Sequence, residues 1–211
     1  MATINDLLDS ARYDLRDYQT GLEFDDVELV LFINRMIRNI DSQLASLNSD
    51  LVFDSASLAL GGAVSALDIS SLLNTGNWHS ISRLWISQVK LIQENLHDLY
   101  YRRLNAGTAT GQPHYWALRG QSLEFDLITD QAYTLTAWYY KTTGTLTGAS
   151  TTPYGGILDD WIREMLVLHA KSKKEGQLAK TEMHWGELAK KRAMELHIGH
   201  TFVPKPYRLD F

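Results

Sequence analysis

Apolar residues recur at helical spacing over roughly the first fifty positions and again after residue 157, and shift toward alternation in between. Near the start, Leu7, Leu8, Ala11 and Leu15 form one stripe, and Thr3 with Asp6 three residues on supplies a helix start signal. Gly21 interrupts the pattern. Asp25 with Glu28 then opens a second helix, with Phe24 placed as a hydrophobic staple. Leu29, Val30, Ile33, Met36, Ile37, Ile40 and Leu44 keep one face apolar for several turns, which predicts a long buried helix.

The middle of the chain changes period. Short β-prone runs from Leu51 to Ile69 flank Gly61-Gly62, which predicts a turn between two strands. "SISRLWIS" (80–87) alternates imperfectly and reads as a strand. Val89 to Leu104 returns to helical spacing through Leu91, Ile92, Leu96, Leu99 and Tyr100. After the loop "NAGTATGQP", strands are predicted at His114 to Leu118, Ser122 to Leu127 and Tyr133 to Lys141. The last of these puts Leu135, Ala137 and Tyr139 on one face and Thr134, Thr136, Trp138 and Tyr140 on the other. A second loop, "TTGTLTGASTTPYGG", leads to a stripe of Ile157, Leu158, Trp161, Ile162, Met165, Leu166 and His169. Gly176 interrupts, and a helix with charges of both signs runs from about Leu178 to Leu196. The expected fold class is α+β: mainly an α-helical bundle of N- and C-terminal helices, with a central antiparallel β-rich insertion. The expected domains are a bundle of 1–50 with 153–200, an insertion of 51–152 with one helix, and an extended docking tail of 201–211.

Composition adds boundaries to this plan. The 211 residues suffice for a real core, with 45% hydrophobic and 21% charged residues. There are no cysteines, so disulfides and thiolate metal sites are excluded. The first residues, "MATINDLLDSARYDL", carry acids where a signal peptide needs a basic segment and an apolar block. No apolar run approaches the roughly 20 residues that span a bilayer, and a net charge of −5 argues against a surface built to grip nucleic acid.

Several patterns invite chemistry and lack its context. "HIGH" (197–200) matches the ATP signature of class I aminoacyl-tRNA synthetases, yet it closes a charged helix instead of following the first strand of a nucleotide-binding sheet. His197 and His200 lie three apart with His184 and Glu195 nearby, but thirteen helical residues separate His184 from His197, roughly 20 Å. One ion cannot bridge them. Asp159, Asp160 and Glu164 fall in the first turns of a helix, where carboxylates complement the macrodipole. Gly61-Gly62 and Gly155-Gly156 are not followed by the Lys-Ser/Thr of a phosphate loop. "AWYYK" could stack bases, but only Lys141 accompanies it. Lys171, Lys173, Lys174, Lys180, Lys190, Lys191 and Arg192 are diluted by Glu175, Glu182, Glu187 and Glu195, which suits a solvated or interfacial helix face. No catalytic set, cofactor site or metal site is expected.

The tail "TFVPKPYRLDF" carries more information. Pro204 and Pro206 stop the preceding helix and favour an extended path. Phe202, Val203, Tyr207, Leu209 and Phe211 supply anchors that a free tail would expose, so docking is expected, on this chain's own domain or on another subunit.

The order of segments resembles the head–tail connector adaptor proteins of tailed bacteriophages, the neck and head-completion group that includes the tail tubular protein of short-tailed phages. Three stretches carry the likeness: "TINDLLDSARYDLRDYQTGLEFDDVELVLFINRMIRNI", "GQPHYWALRGQSLEFDLITDQAYTLTAWYYKTTGTLT" and "TPYGGILDDWIREMLVLHAKSKKEGQLAKTEM". The middle stretch has Pro113 and Tyr115 before a Gly120 turn, a short alternating strand, and an aromatic strand closing in Tyr139-Tyr140. The chain departs from the family where "LITDQAY" lacks a common proline. The resemblance implies a non-enzymatic virion component in the neck, assembled in the host cytoplasm. It implies a homo-oligomeric ring sharing the portal's usual twelvefold symmetry, with portal and tail or nozzle proteins as partners. DNA would pass through without specific binding and no membrane would be involved. The C-terminal helix and the tail, Phe202, Val203, Pro204, Pro206, Tyr207, Leu209 and Phe211, would engage the portal or a neighbouring subunit. The rival expectation is a soluble cytoplasmic enzyme or binding protein with a dispersed site.

Overall fold

The computed structural model describes residues 2–15, 25–73, 76–174 and 178–201, without the side chains of 174–184 and 199–201. The chain divides into two compact units, Met1–Leu51 with Thr143–Phe211, and Val52–Thr142.

The first unit is built from helices α1 (Ile4–Leu15), α2 (Asp26–Ser46), α4 (Asp159–Lys174) and α5 (Leu178–Thr201). The start signals act as the sequence predicts. Thr3 Oγ1 accepts from the Asp6 amide (3.2 Å), and the Asp6 carboxylate accepts from the Thr3 amide (2.7 Å) and hydroxyl (2.8 Å). Those hydrogen bonds, the backbone one first, hold the Asp6 carboxyl below its ordinary pKa. Asp25 caps α2 by accepting from the Val27 amide at 3.1 Å; Phe24, the expected staple, lies outside the described residues. Leu29, Ile33, Met36, Ile37, Ile40 and Leu44 are all buried, and so are Leu158, Ile162, Met165 and Leu166 of the later stripe.

The second unit holds β1 (Phe53–Leu60), β2 (Ala66–Asp68), β3 (Trp78–Ile86), β4 (Val89–Lys90), β5 (Ile92–Gln93), α3 (Leu96–Ala106), β6 (Tyr115–Arg119), β7 (Ser122–Phe125) and β8 (Tyr133–Lys141). They form two four-stranded sheets, in the orders β1-β8-β3-β4 and β2-β7-β6-β5. Segments 53–68 and 122–140 run antiparallel through both sheets, β1 on β8 and β2 on β7. Across the bend Ala63 N donates to Thr129 O (2.8 Å) and Thr129 N to Val64 O (2.9 Å). Residues 89–93 also change sheet: β4 pairs with β3, and β5 lies parallel to β6. The core between the sheets is apolar, with Leu84, Phe125, Leu135 and Ala137 fully buried and Trp116 nearly so.

The expected fold class needs correction. Among the described residues five α-helices and eight strands in two sheets give 45% helix and 26% strand, so the protein is an α+β mixture and not mainly a helical bundle. Three strands are only two or three residues long, too short to show alternation, and the sequence underweights them. The helical spacing from Val89 to Leu104 misled for the same reason. Its first part is β4 and β5, and the helix begins only after Asn95, whose side chain accepts from the Asp98 amide at 2.9 Å. Gly61-Gly62 does lie at a turn between two strands, β1 and β2, and the chain passes there from one sheet to the other. The Gly120 turn does join a true hairpin: β6 and β7 pair down to Arg119 and Ser122, and Gly120 takes φ +60°, which suits glycine.

Candidate functional site

The chemistry sought in the sequence does not come together among the described residues, where no group of three His, Asp or Glu is arranged to hold a metal ion. Asp159 and Asp160 begin α4 as helix-terminal acids, and Asp160 lies 3.7 Å from Arg163 one turn on. Glu164 is exposed. His197 lies half-buried in α5, and the side chains of His184 and His200 lie outside the described residues. Gly155 and Gly156 sit in a short 3-10 turn, Pro153–Gly156, with φ +66° and +86°. In "AWYYK", Ala137 and Tyr139 enter the core, while Trp138 stacks on Phe53 across the sheet at 5.6 Å between ring centroids. Of the basic set, Lys171, Lys190 and Lys191 are exposed, Lys173 pairs with Glu28, and Arg192 pairs with Glu195 at 2.9 Å. Phe202, Val203, Pro204, Pro206, Tyr207, Leu209 and Phe211 lie outside the described residues. No helix among the described residues is long and apolar enough to cross a membrane.

What the helix-rich unit does assemble is a polar clamp inside α2. Asp41 is fully buried, and its carboxylate accepts from Thr143 N (2.6 Å), Thr143 Oγ1 (3.2 Å) and the Tyr154 hydroxyl. Two turns earlier Asn34 Nδ2 donates to Leu146 O (2.9 Å) and Asn34 Oδ1 accepts from Leu146 N (2.7 Å), so one amide satisfies both backbone groups of Leu146. Burial first, and then the Asp41 charge and hydrogen bond, push the Tyr154 hydroxyl well above its ordinary pKa. Tyr154 also sits at φ +57°, a strained setting for a tyrosine that the clamp holds in place. The same loop reaches α1, where Ile4 N and Asn5 N donate to Ser150 O and Gly148 O, both at 2.9 Å, and satisfy orphan amides of the first turn. A Cβ on Gly148 would come within 2.1 Å of Asn5 Oδ1, so this approach needs glycine there or a displaced Asn5.

Below the clamp, the His169 ring stacks on Phe32 at 4.2 Å and 10°, and Trp185 packs edge-on against Phe32 at 4.0 Å. In the other unit, polar ties fasten α3 to the outer face of β6 and β7. Arg103 pairs with the Glu124 carboxylate (2.9 Å) and donates to Phe125 O (2.5 Å) and Ser65 O (2.6 Å). Arg102 grips Glu94 through two bonds of 2.8 Å and lies over the Tyr115 ring at 3.9 Å.

Sequence reasoning passed over the clamp, although a signal was present. Asn34 and Asp41 are seven residues apart, on the face that Ile33, Ile37, Ile40 and Leu44 bury. Polar groups on an apolar face announce a partner, and their partners are more than a hundred residues away. It also passed over apolar residues set off the stripes: Val27 and Leu31 on α2 and Met194 and Ile198 on α5 are exposed. The described surface of α2 and α5 therefore carries exposed apolar side chains among charged ones. No curated protein matches the chain. From residue 2 to residue 200, through both units, it matches the model of the SU10 adaptor protein family, and it belongs to that family of bacteriophage structural adaptors.

Proposed function

We propose that this protein is the adaptor ring of the virion neck, joining the portal to the tail or its nozzle and lining part of the path of the genome. The family match over residues 2–200 carries this reading. Copies stand side by side in a homo-oligomer that shares the portal's twelvefold symmetry, without catalytic work of their own. The acidic balance of −5 per chain fits a passage that DNA crosses without being held, since phosphate binding strong enough to matter would slow ejection. The C-terminal tail is the docking element for the portal or the next subunit. Phe202, Val203, Tyr207, Leu209 and Phe211 are its anchors, each worth about 1.5–3 kcal/mol if fully buried, and Pro204 and Pro206 hold it extended. Repeated around a ring, modest contacts become strong through multivalency.

Electron microscopy of the protein mixed with the portal of the same virus tests the reading. A ring seated on the portal is expected, and portal particles left bare would overturn it. Trimming Thr201–Phe211 is expected to leave a cooperative melt unchanged and to abolish seating. A trimmed chain that still seats normally would move the docking surface elsewhere, and a lost melt would assign the tail to its own core.

A further inference from the structure

The helices of the first unit lie in two layers whose outer faces differ in character. α1 packs on α4 and runs with it: Thr3 bridges to Thr151 at one end, and Asp14 lies 3.7 Å from Arg163 further along. α2 packs on α5. It runs against α4, with Glu28 beside Lys173 at one end and Asp41 beside Tyr154 at the other. α5 also runs against α4, because Trp185 meets His169 and Arg192 reaches Ile157 O at 3.5 Å. α2 and α5 are therefore parallel, and their outer residues form one face. That face shows Val27 (64% exposed), Leu31 (63%), Met194 (42%) and Ile198 (53%), with Arg35, Arg38, Lys190 and Lys191 exposed among them. Among the described residues its carboxylates include Asp26, tied to Arg12 of α1, Glu195, tied to Arg192, and Glu187.

The outer face of α1 and α4 has the opposite sign. Asp6, Asp9, Asp14, Asp160 and Glu164 are exposed there, against Arg163 and Lys171, and Arg163 is already shared between Asp14 and Asp160 at 3.7 Å each. The face also has relief. A concavity of about 270 Å³ is floored by Val167 and Leu168 and rimmed by Asp14, Glu164, Arg163 and Lys171. An aliphatic side chain fits the apolar part of such a hollow, and Leu31 of α2 is an exposed one.

We infer that copies of this chain join head to tail through these two faces, the basic-apolar face of α2 and α5 of one copy seating on the acidic, hollowed face of α1 and α4 of the next. This rests on the ring reading above and names its lateral contact. Two different patches cannot satisfy each other about a twofold axis, so the contact is heterologous, and it closes into a ring when the rotation per subunit allows. Chains of net charge −5 repel one another at long range, and locally opposed charges set which faces meet. The remaining surfaces stay free for portal and tail.

Charge reversal on exposed positions tests this. One variant carries Arg38→Glu and Lys191→Glu, a second carries Asp9→Lys and Glu164→Lys, and a third carries all four. Circular dichroism melts establish that each is folded, and sedimentation with electron microscopy reads assembly on the portal. Each double variant is expected to stay unassembled at concentrations where wild type forms rings. The quadruple variant is expected to form rings again, and so is an equimolar mixture of the two doubles, because every contact is then matched. Double variants that assemble like wild type, or a folded quadruple variant that does not recover, would overturn this interface while leaving the ring itself standing. Wild-type protein that forms no particle beyond a dimer, with or without portal, would overturn the ring reading together with it.

Discussion

The two units of this protein hold themselves together differently. In residues 52–142 the long-range links are backbone ladders: β1 with β8, β2 with β7 and β3 with β8 join distant segments, and the space between the sheets is filled by apolar side chains. Polar side chains such as Arg103, Glu124 and Asp126 work at the margins of that core. In the helix-rich unit no long ladder fixes the loop after residue 142, and main chain ties only its later part to the start of α1, through Ser150 O and Gly148 O. Its earlier part is held by buried side chains, Asp41 and Asn34, which bond backbone groups of Thr143 and Leu146. The lesson is that the sheets close their long loops with main chain throughout, whereas the helices add buried polar side chains to a few main-chain bonds.

Substitutions can break or sharpen that contrast. The largest effect is expected from Phe125→Ala, which empties the middle of the sheet core and costs about 3–5 kcal/mol. Amide hydrogen exchange is expected to lose protection along β3, β7 and β8 while α2 keeps its own; equal loss in α2 would dissolve the contrast. Asp41→Ala comes next at about 2–4 kcal/mol, because it strands the Thr143 amide and the Tyr154 hydroxyl in a buried site. Limited proteolysis is expected to open 142–156 first and to spare β8, and cleavage starting inside β8 would count against the clamp.

Tyr154→Phe removes one bond to a buried carboxylate and is expected to cost about 2 kcal/mol at neutral pH. Its pH dependence sharpens the reading. The folded pKa of Tyr154 is raised, so its contribution is fully present below the ordinary tyrosine value of about 10 and is lost as pH rises beyond that toward the folded value. The difference in melting temperature between wild type and variant is therefore expected to shrink in alkaline buffer, and a constant difference up to pH 11 would refute the burial of that hydroxyl. The smallest effect is expected from Asn95→Ala, about 1 kcal/mol for a lost helix cap, confined to α3. Exchange at Asp98 and Leu99 would report it.

Much of this architecture could be read before folding. The Thr3–Asp6 and Asp25 caps, the buried stripe of α2, the Gly120 hairpin and the inward faces of Leu135, Ala137 and Tyr139 all rest on residues a few positions apart, and all stand in the structure. The balance between helix and strand could not be read. β2, β4 and β5 are strands only because β7, β3 and β6 lie beside them, and two or three residues carry no period of their own. The exposed apolar residues Val27, Leu31, Met194 and Ile198 were not singled out by the sequence, because their grouping on one layer needs the parallel course of α2 and α5.

By itself, then, the sequence determined where helices start and which faces are apolar, since each depends on spacing within a few residues. Only the tertiary structure decided which strands are neighbours, that residues 53–68 and 89–93 each serve two sheets, and that Asn34 and Asp41 close a loop more than a hundred residues away. The physical reason is that hydrogen-bond partners in ladders and clamps are chosen by the packing of the whole unit. A buried amide or carboxylate must find a partner, but the local chain does not specify which one.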